Sequence, residues 1–353
     1  MDETFLSDSS EKKLKHFMRP NPVSLNDIAK ALGVSTSTVS RALKDHPDIS
    51  ESTKDRVKAF AEMVKYRPNA LALGLKYQKT NTIGIVVPEI VHHFFSTIIS
   101  GVEDVAYSNG YQVMICQSNE DFRREEINIQ ALIDHRVDGM LISISKSTVD
   151  YSHLKAAVES KIPIVFFDRF CREIPADRVT TSDFEGARSI CNHLIARGSR
   201  NILHLSAPQT LLIGAERQRG YIQALADNNI ELRNEFILDC DTPEKVKELK
   251  TEILNLAPHI DGIFAVNDFS AIEAMNLVKS KGFIVPSDIA VAGFGDDPIA
   301  RISDPTLTTV EQNGYEIGKE AMRFLIKRIE NTEENLTPQI KVVNTILRKR
   351  EST

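Results

Sequence analysis

The sequence predicts a small all-α head followed by two doubly wound α/β lobes. Three observations predict it. Two short amphipathic stretches meet at Gly33 near the amino end, buried-strand and helix patterns alternate from Thr82 onward, and that alternation restarts after about residue 180. At 353 residues the chain is too long for one compact domain. Hydrophobic content of 42% and charged content of 26% place it among ordinary globular proteins rather than disordered ones. No uninterrupted apolar run approaches the roughly 18 residues that cross a bilayer. The first twenty residues are polar and charged and lack the apolar stretch of a secretory signal, so the chain is expected in the cytoplasm. Cys116, Cys171, Cys191 and Cys240 form no CxxC and no metal-ligand spacing with histidine, and read as reduced, buried thiols.

Residues 1–22 are a polar leader ended by Pro20 and Pro22, and are expected to be disordered. Residues 23–66 read as three helices. Ser24 is a good N-cap, Asp27 falls in the first turn, and Leu25, Ile28, Ala29 and Leu32 follow at helical spacing. Gly33 stops that helix. Ser35 caps the second, whose buried stripe is Val39, Ala42 and Leu43. Ser50 opens the third, reaching about Lys65 with Val57, Phe60, Ala61 and Val64 inward. Arg67-Pro68-Asn69 breaks it. The linker, 67–79, contains a run from Ala70 to Lys76 that is too short to be a stable helix alone.

The core, 80–353, opens with strand Ile83–Val87, a helix over 94–109, strand Val113–Cys116, a helix over 122–135, strand Gly139–Ser143, a helix over 152–160 and strand Ile164–Phe167. After the restart come a helix over 184–197, strand Ile202–Leu205, a helix over 215–228, a strand over 236–239, a helix over 243–256, strand Gly262–Val266, a helix over 269–281 and a strand over 289–292. These strands are nearly continuous apolar runs, as in a parallel sheet covered on both faces. Val137-Asp-Gly-Met-Leu-Ile142 echoes Ile260-Asp-Gly-Ile-Phe-Ala265, each with Asp-Gly entering a buried strand. Two similar lobes would hold a ligand at their strand carboxyl ends, in the cleft between them.

Charge is divided along the chain. Residues 1–80 carry 14 Lys and Arg against 10 Asp and Glu, whereas the remainder carries 29 against 39, for −6 overall. A basic head on an acidic body fits a phosphate-backbone partner for the head alone. The two short helices with their Gly-containing turn form a helix-turn-helix, the second helix of which enters a DNA major groove.

Three motifs make the resemblance specific: Asp27-Ile-Ala-x-x-x-Gly-Val-Ser-x-x-Thr-Val-Ser-Arg41, Tyr66-Arg-Pro-Asn-Ala70 and Leu307-Thr-Thr-Val-x-Gln312. Over roughly residues 23–350 the chain resembles the LacI/GalR family of bacterial transcription regulators. The resemblance implies a dimeric, sequence-specific DNA-binding regulator with a periplasmic-binding-protein-like core whose chain crosses between lobes three times. The first lobe would be about 80–180 plus 311–338, and the second about 181–310 plus 339–353. Thr36, Ser37 and Arg41 match the base-reading positions. Arg41 carries the two donors that guanine O6 and N7 accept. Ser35, Thr38 and Ser40 would hold phosphates. Leu75, flanked by Ala72 and Lys76, matches a leucine that wedges into the minor groove at the operator centre. Leu73-Gly74 stands where many relatives carry Arg-Ser.

The resemblance also marks the cleft. Phe94 and Phe95 would stack on a ring-shaped effector. Asp168, Arg169, Arg217, Asn267 and Asp268 would take its polar groups. Where relatives commonly have an effector-contacting aspartate after Gly-Tyr or Gly-Phe, this chain has Gly293-Phe294-Gly295-Asp296-Asp297, with glycine in the contacting place, so that either Asp296 substitutes or the contact is absent. A core role for each phenylalanine, and a salt-bridge or capping role for each polar residue, is the alternative. A sugar, sugar acid or sugar phosphate is the expected effector, with Arg169 and Arg217 favouring an anionic one. A dimer rather than a tetramer, no membrane contact, and no cofactor or metal are expected. A transport-type sugar-binding protein would lack the helix-turn-helix. An enzyme would need a nucleophile–base set or phosphate loop, and no GxxxxGK[ST], HExxH or GxSxG occurs. His92-His93 reads as a solvated pair.

Overall fold

A capping box fixes the start of the first helix, α1 (Leu25–Leu32): the Ser24 hydroxyl accepts from the Asp27 N–H, and the Asp27 carboxylate accepts from the Ser24 N–H at 2.9 Å. The computed structural model describes residues 23–66, 79–331 and 337–353. The leader, the linker positions Ala72, Leu75 and Lys76, and residues 332–336 lie outside the described residues. The chain divides into two units at Thr80 and Asn81.

In the first unit, Gly33 ends α1 at φ +68°, a left-handed turn that a side chain would oppose. Ser35 then caps α2 (Thr36–Ala42), and α3 (Glu51–Met63) follows. Ile28, Ala29, Val39, Ala42, Val57 and Ala61 close a six-residue core, with Leu25, Leu32, Leu43, Phe60 and Tyr66 packed around it. Ser50 stands at the N-cap of α3 but makes no side-chain cap bond.

In the second unit, the first lobe is built on β1 (Thr82–Val87), β2 (Gln112–Gln117), β3 (Gly139–Ile142), β4 (Ile164–Phe167), β5 (Asp177–Thr181) and β11 (Ile340–Val343). All pair in parallel, in the order β11-β5-β4-β3-β1-β2. Helices α4 (His93–Ser108) and α13 (Gly314–Glu330) cover one face, and α5 (Phe122–Asp134) and α6 (Ser152–Glu159) the other. The second lobe repeats the plan with β6 (Ile202–Ser206), β7 (Ile237–Asp239), β8 (Gly262–Ala265) and β9 (Ala290–Ala292), in the order β7-β6-β8-β9. Its helices are α7 (Asp183–Ala196), α8 (Leu212–Asp227), α9 (Pro243–Glu248), α10 (Lys250–Leu256), α11 (Asp268–Lys279) and the short α12 (Ile299–Ile302). β10 (Thr309–Glu311) and β12 (Ile346–Arg348) pair antiparallel beside it.

The Asp-Gly echo has a structural cause. Asp138 accepts from the Asn81 N–H at 2.8 Å, and Asp261 accepts from the Arg200 and Asn201 N–H groups at 2.8–2.9 Å. In both lobes the aspartate before the third strand holds the backbone entering the first.

One boundary is corrected. Ile340–Val343 adds to the first lobe's sheet beside β5, with Ile340 opposite Arg178. The third crossing therefore falls at residues 344–345, not 338–339. Both β5 and β11 escape the apolar-run reading, because β5 alternates buried and half-buried residues and only Val343 of β11 is buried. The helix expected over 243–256 divides at Leu249 into α9 and α10. Among the described residues no helix is long and apolar enough to cross a membrane.

Two features of the core yield tests. α4 and α13 approach backbone to backbone: a Cβ on Gly318 would overlap the Ile98 carbonyl, and one on Gly101 the Tyr315 carbonyl. Gly318→Ala should lower stability by roughly 1–3 kcal/mol, read as a drop in unfolding midpoint, because the overlap outweighs the better helix propensity of alanine. The second is His204, fully buried on β6 between the rings of Phe264 (4.8 Å) and Tyr221 (5.0 Å). Burial pushes its pKa down from 6.5 to about 4, against the hydrogen bond its Nδ1 shares with the Phe264 carbonyl. The unfolded chain therefore binds a proton that the folded one refuses, and stability is lost as pH falls from 6.5 to 4. His204→Phe should remove about 3 kcal/mol of that acid sensitivity. Urea unfolding of parent and variant at pH 7 and pH 4.5 measures the difference.

Candidate functional site

Two surfaces carry the chemistry. On α2, Thr36, Ser37 and Arg41 are exposed together, while Val39 and Ala42 face inward. Thr38 and Ser40 are half-buried. The Ser35 oxygen accepts from the Thr38 N–H at 3.1 Å and lies 2.7 Å from the Ser37 hydroxyl and 2.8 Å from that of Thr38. Ser35 thus fixes the start of the helix that presents the others.

The second surface is a cavity of about 430 Å³ between the lobes. Its polar wall comes from residues just beyond strand carboxyl ends: Glu120 after β2, Lys146 after β3, Asp168 and Arg169 after β4, Asp241 after β7 and Asn267 after β8. Parallel strands in both lobes point these ends at one another, as the doubly wound topology requires. Phe94, Phe95, Phe269 and Phe294 supply apolar walls. The Phe94 and Phe95 rings meet edge to face at 5.3 Å, and Phe95 also belongs to the core under α4.

Both cavity guanidiniums are already paired. Arg169 Nη1 donates to both Glu120 oxygens at 2.8 Å. Its Nε lies 3.7 Å from Asp168 Oδ2 and has no hydrogen-bond partner among the described residues. Arg217 binds Asp183 Oδ1 through Nε (2.8 Å) and Nη2 (2.7 Å), donates from Nη1 to the Val266 carbonyl (2.8 Å), and stacks 3.9 Å above the Phe294 ring. Asp183 in turn accepts from Thr181 at 2.7 Å. Asn267 caps α11 by accepting from the Ser270 N–H at 2.9 Å and donates to the Asp241 carbonyl at 2.7 Å. Asp168 is buried at φ +58°. Burial, opposed by Arg169, pushes its carboxyl up to about 6.

Two expected cavity residues turn away from it. Asp268 is fully buried behind the wall, accepting from the Thr309 hydroxyl and, at 2.8 Å, from the Asp297 N–H. Burial pushes its carboxyl up to about 7. Gly293 packs so tightly against it that a Cβ there would overlap its carboxylate. Asp296, at φ +56°, is held by Arg301 at 2.7 Å and by Arg350, and so ties down the carboxy-terminal segment. Its neighbour Asp297 lines the cavity instead, where burial pushes its carboxyl above the ordinary value. His92 is not merely solvated. It is half-exposed on the cavity rim, 2.7 Å from Glu89, with its ring edge to that of Phe269 at 5.7 Å.

Sequence reasoning missed Glu120, Lys146, Asp241, Asp297, Phe269 and Gln312. Three of the six, Glu120, Lys146 and Asp241, lie within four residues of a strand's carboxyl end, so the strand boundaries carried the signal for them. Among the described residues no cluster of His, Cys, Asp and Glu could hold a metal ion.

Residues 24–69 match the model for bacterial regulatory proteins of the lacI family, and residues 191–353 that for a periplasmic binding protein-like domain. The chain is 32% identical over 306 residues to an HTH-type transcriptional repressor PurR of Mannheimia succiniciproducens, covering 86% of this chain and 91% of that one. It is 32% identical over 310 residues to a ribose operon repressor of Halalkalibacterium halodurans, covering 87% and 90%. A solved complex of the transcriptional regulator CelR with cellobiose superposes with a TM-score of 0.72 at 28% identity, covering 94% of this chain and all of that one. With a capped helix-turn-helix ahead of a two-lobed parallel-sheet core, and similarity to transcription repressors over most of its length, the chain belongs to the LacI family of bacterial DNA-binding transcription regulators.

Proposed function

We propose that the chain acts, without catalytic turnover, as a homodimeric repressor of a two-fold-related operator, and that a neutral, polyhydroxylated effector, a sugar, occupies its cleft. Thr36, Ser37 and Arg41 read bases, and Ser35, Thr38 and Ser40 hold phosphates. Ala72, Leu75 and Lys76 work in the minor groove. Phe94, Phe95, Asp168, Arg169, Arg217 and Asn267 serve the effector, joined by Glu120, Asp241 and Asp297. Asp268 and Asp296 brace the wall rather than touch the effector.

The observation that carries the effector class is the pairing of both cavity guanidiniums by carboxylates. A sugar acid or phosphate would have to displace Glu120 from a partly buried ion pair or Asp183 from a buried one, leaving an unpaired charge behind. A neutral sugar needs no displacement. Its apolar face meets phenylalanine rings, and its hydroxyls donate to Asp168 and Asp241 and accept from Arg169 Nε. The cellobiose-bound relative and the ribose operon repressor support the same class. This reverses the anionic preference read from Arg169 and Arg217 as isolated residues.

Thermal unfolding with neutral sugars, matched uronic acids and sugar phosphates tests this. A neutral sugar at about 100 times its Kd should stabilise the protein by about 2.7 kcal/mol, with its anionic counterparts silent. Stabilisation by anionic ligands alone would overturn the assignment. Because the ionised Asp168 carboxylate is the acceptor, effector affinity should rise as pH increases from 5 to 7, and Asp168→Asn should flatten that dependence in calorimetric titrations. For the head, duplexes selected from a random pool by the parent should rank differently with Arg41→Ala. One position per half-site should lose about 1–3 kcal/mol of base discrimination. An unchanged base preference would remove Arg41 as a reader.

A further inference from the structure

Two consecutive side-chain-bearing residues, Asn119 and Glu120, take left-handed φ values of 54° and 56° beyond β2. That conformation is disfavoured outside glycine and persists where the surroundings demand it, often at switch regions. Its effect is to aim the Glu120 carboxylate at the cleft. There it does two jobs: both oxygens accept from Arg169 Nη1 at 2.8 Å, and Oε2 also accepts from the Lys146 backbone N–H at 2.8 Å.

The loop that carries Lys146 is anchored on either side. The Ser145 N–H donates to Glu125 Oε2 at 2.5 Å, the Thr148 hydroxyl to Glu125 Oε1 at 3.0 Å, and the Ser147 hydroxyl to the Glu120 carbonyl at 2.8 Å. Glu125 is itself fully buried and bonded to His153 at 2.9 Å. With its backbone fixed, Lys146 extends its ammonium across the cleft to 3.6 Å from Asp241 Oδ2 in the second lobe. Asp241 is 11% exposed, close to Lys245 as well, and its carboxyl lies below the usual range, where burial is outweighed by those two ammonium groups.

We propose that Glu120 is a positioning residue joining the cavity to a cross-lobe tie, Lys146–Asp241, whose strength depends on what Arg169 is doing. A ligand hydroxyl that accepts from Arg169 Nε shares the guanidinium with Glu120 without displacing the carboxylate, and weakens the hold of Arg169 on it. The shared carboxylate then settles on Lys146, and the ammonium shifts against Asp241. Lobe closure is thereby linked to cavity occupancy through three side chains. The regulatory half of this inference rests on the cleft being the effector site, whereas the tie itself does not.

Glu120→Gln, Lys146→Met and Asp241→Asn, singly and in pairs in the full chain without small molecules, test it. In thermal unfolding at low salt, Lys146→Met and Asp241→Asn should be non-additive by about 2 °C. Glu120→Gln should at least halve that coupling, and about 0.5 M salt should shrink it. Additive midpoints, or a coupling indifferent to Glu120→Gln, overturn the proposal. Binding to a duplex selected by the full chain supplies the second readout. Each of Lys146→Met and Asp241→Asn should change Kd more than threefold in the same direction, and the pair no further. Coupling in the melts with unchanged duplex affinity would reduce the tie to a local contact and overturn its regulatory role. If no sugar stabilises the protein, the effector reading falls while the melts still decide the tie.

Discussion

Charge compensation inside the cleft is the constraint on which the rest of the structure depends. A guanidinium taken out of water must meet a carboxylate or it destabilises the fold. Arg217 therefore needs Asp183, whose other oxygen accepts from Thr181 at the point where the chain first leaves one lobe for the other. Arg169 needs Glu120, which follows Asn119 in left-handed backbone. The same constraint underlies the ligand preference proposed above. A wall that has neutralised its own cations offers acceptors and aromatic faces, which is the complement of a polyol rather than of an anion.

Much of the architecture was legible because buried parallel strands are written as apolar runs. Ile83–Val87, Gly139–Ile142, Ile164–Phe167 and Gly262–Ala265 are each buried almost throughout, and their patterns leave little else to be. Strands at the margins are different. β11 buries only Val343, and β5 alternates, so neither has the signature of a strand covered on both faces. The cap residues Ser24 and Ser35 were readable for a local reason: a short hydroxyl three residues before an unbonded N–H needs no tertiary information.

The cavity was only partly legible, and the reason is directional. Sequence places Asp296 and Asp297 side by side, but a left-handed residue sends one to Arg350 and the other to the cleft. Asp268 follows Asn267 at the helix start, yet the cap position faces the cavity and the next residue faces the core. Arg169 and Arg217 looked like free cations because their partners are 49 and 34 residues away in sequence. Residue type was predictable at these positions, whereas orientation and pairing are products of the assembled lobes.

The magnitudes suit a sensor better than a lock. A partly exposed ion pair such as Lys146–Asp241 contributes roughly 0–1 kcal/mol. That is small beside the stability of a domain but comparable to the 1–3 kcal/mol that couples typical allosteric sites. A tie much stronger than this would hold the lobes in one state whatever the cavity contained, since a ligand shifts an equilibrium only by its differential affinity for the two states. A tie much weaker would leave the lobes indifferent to the loop that Glu120 and Glu125 hold so firmly. Rigid anchoring of the loop combined with a marginal contact at its tip is what lets a small rearrangement at Arg169 be felt on the opposite lobe.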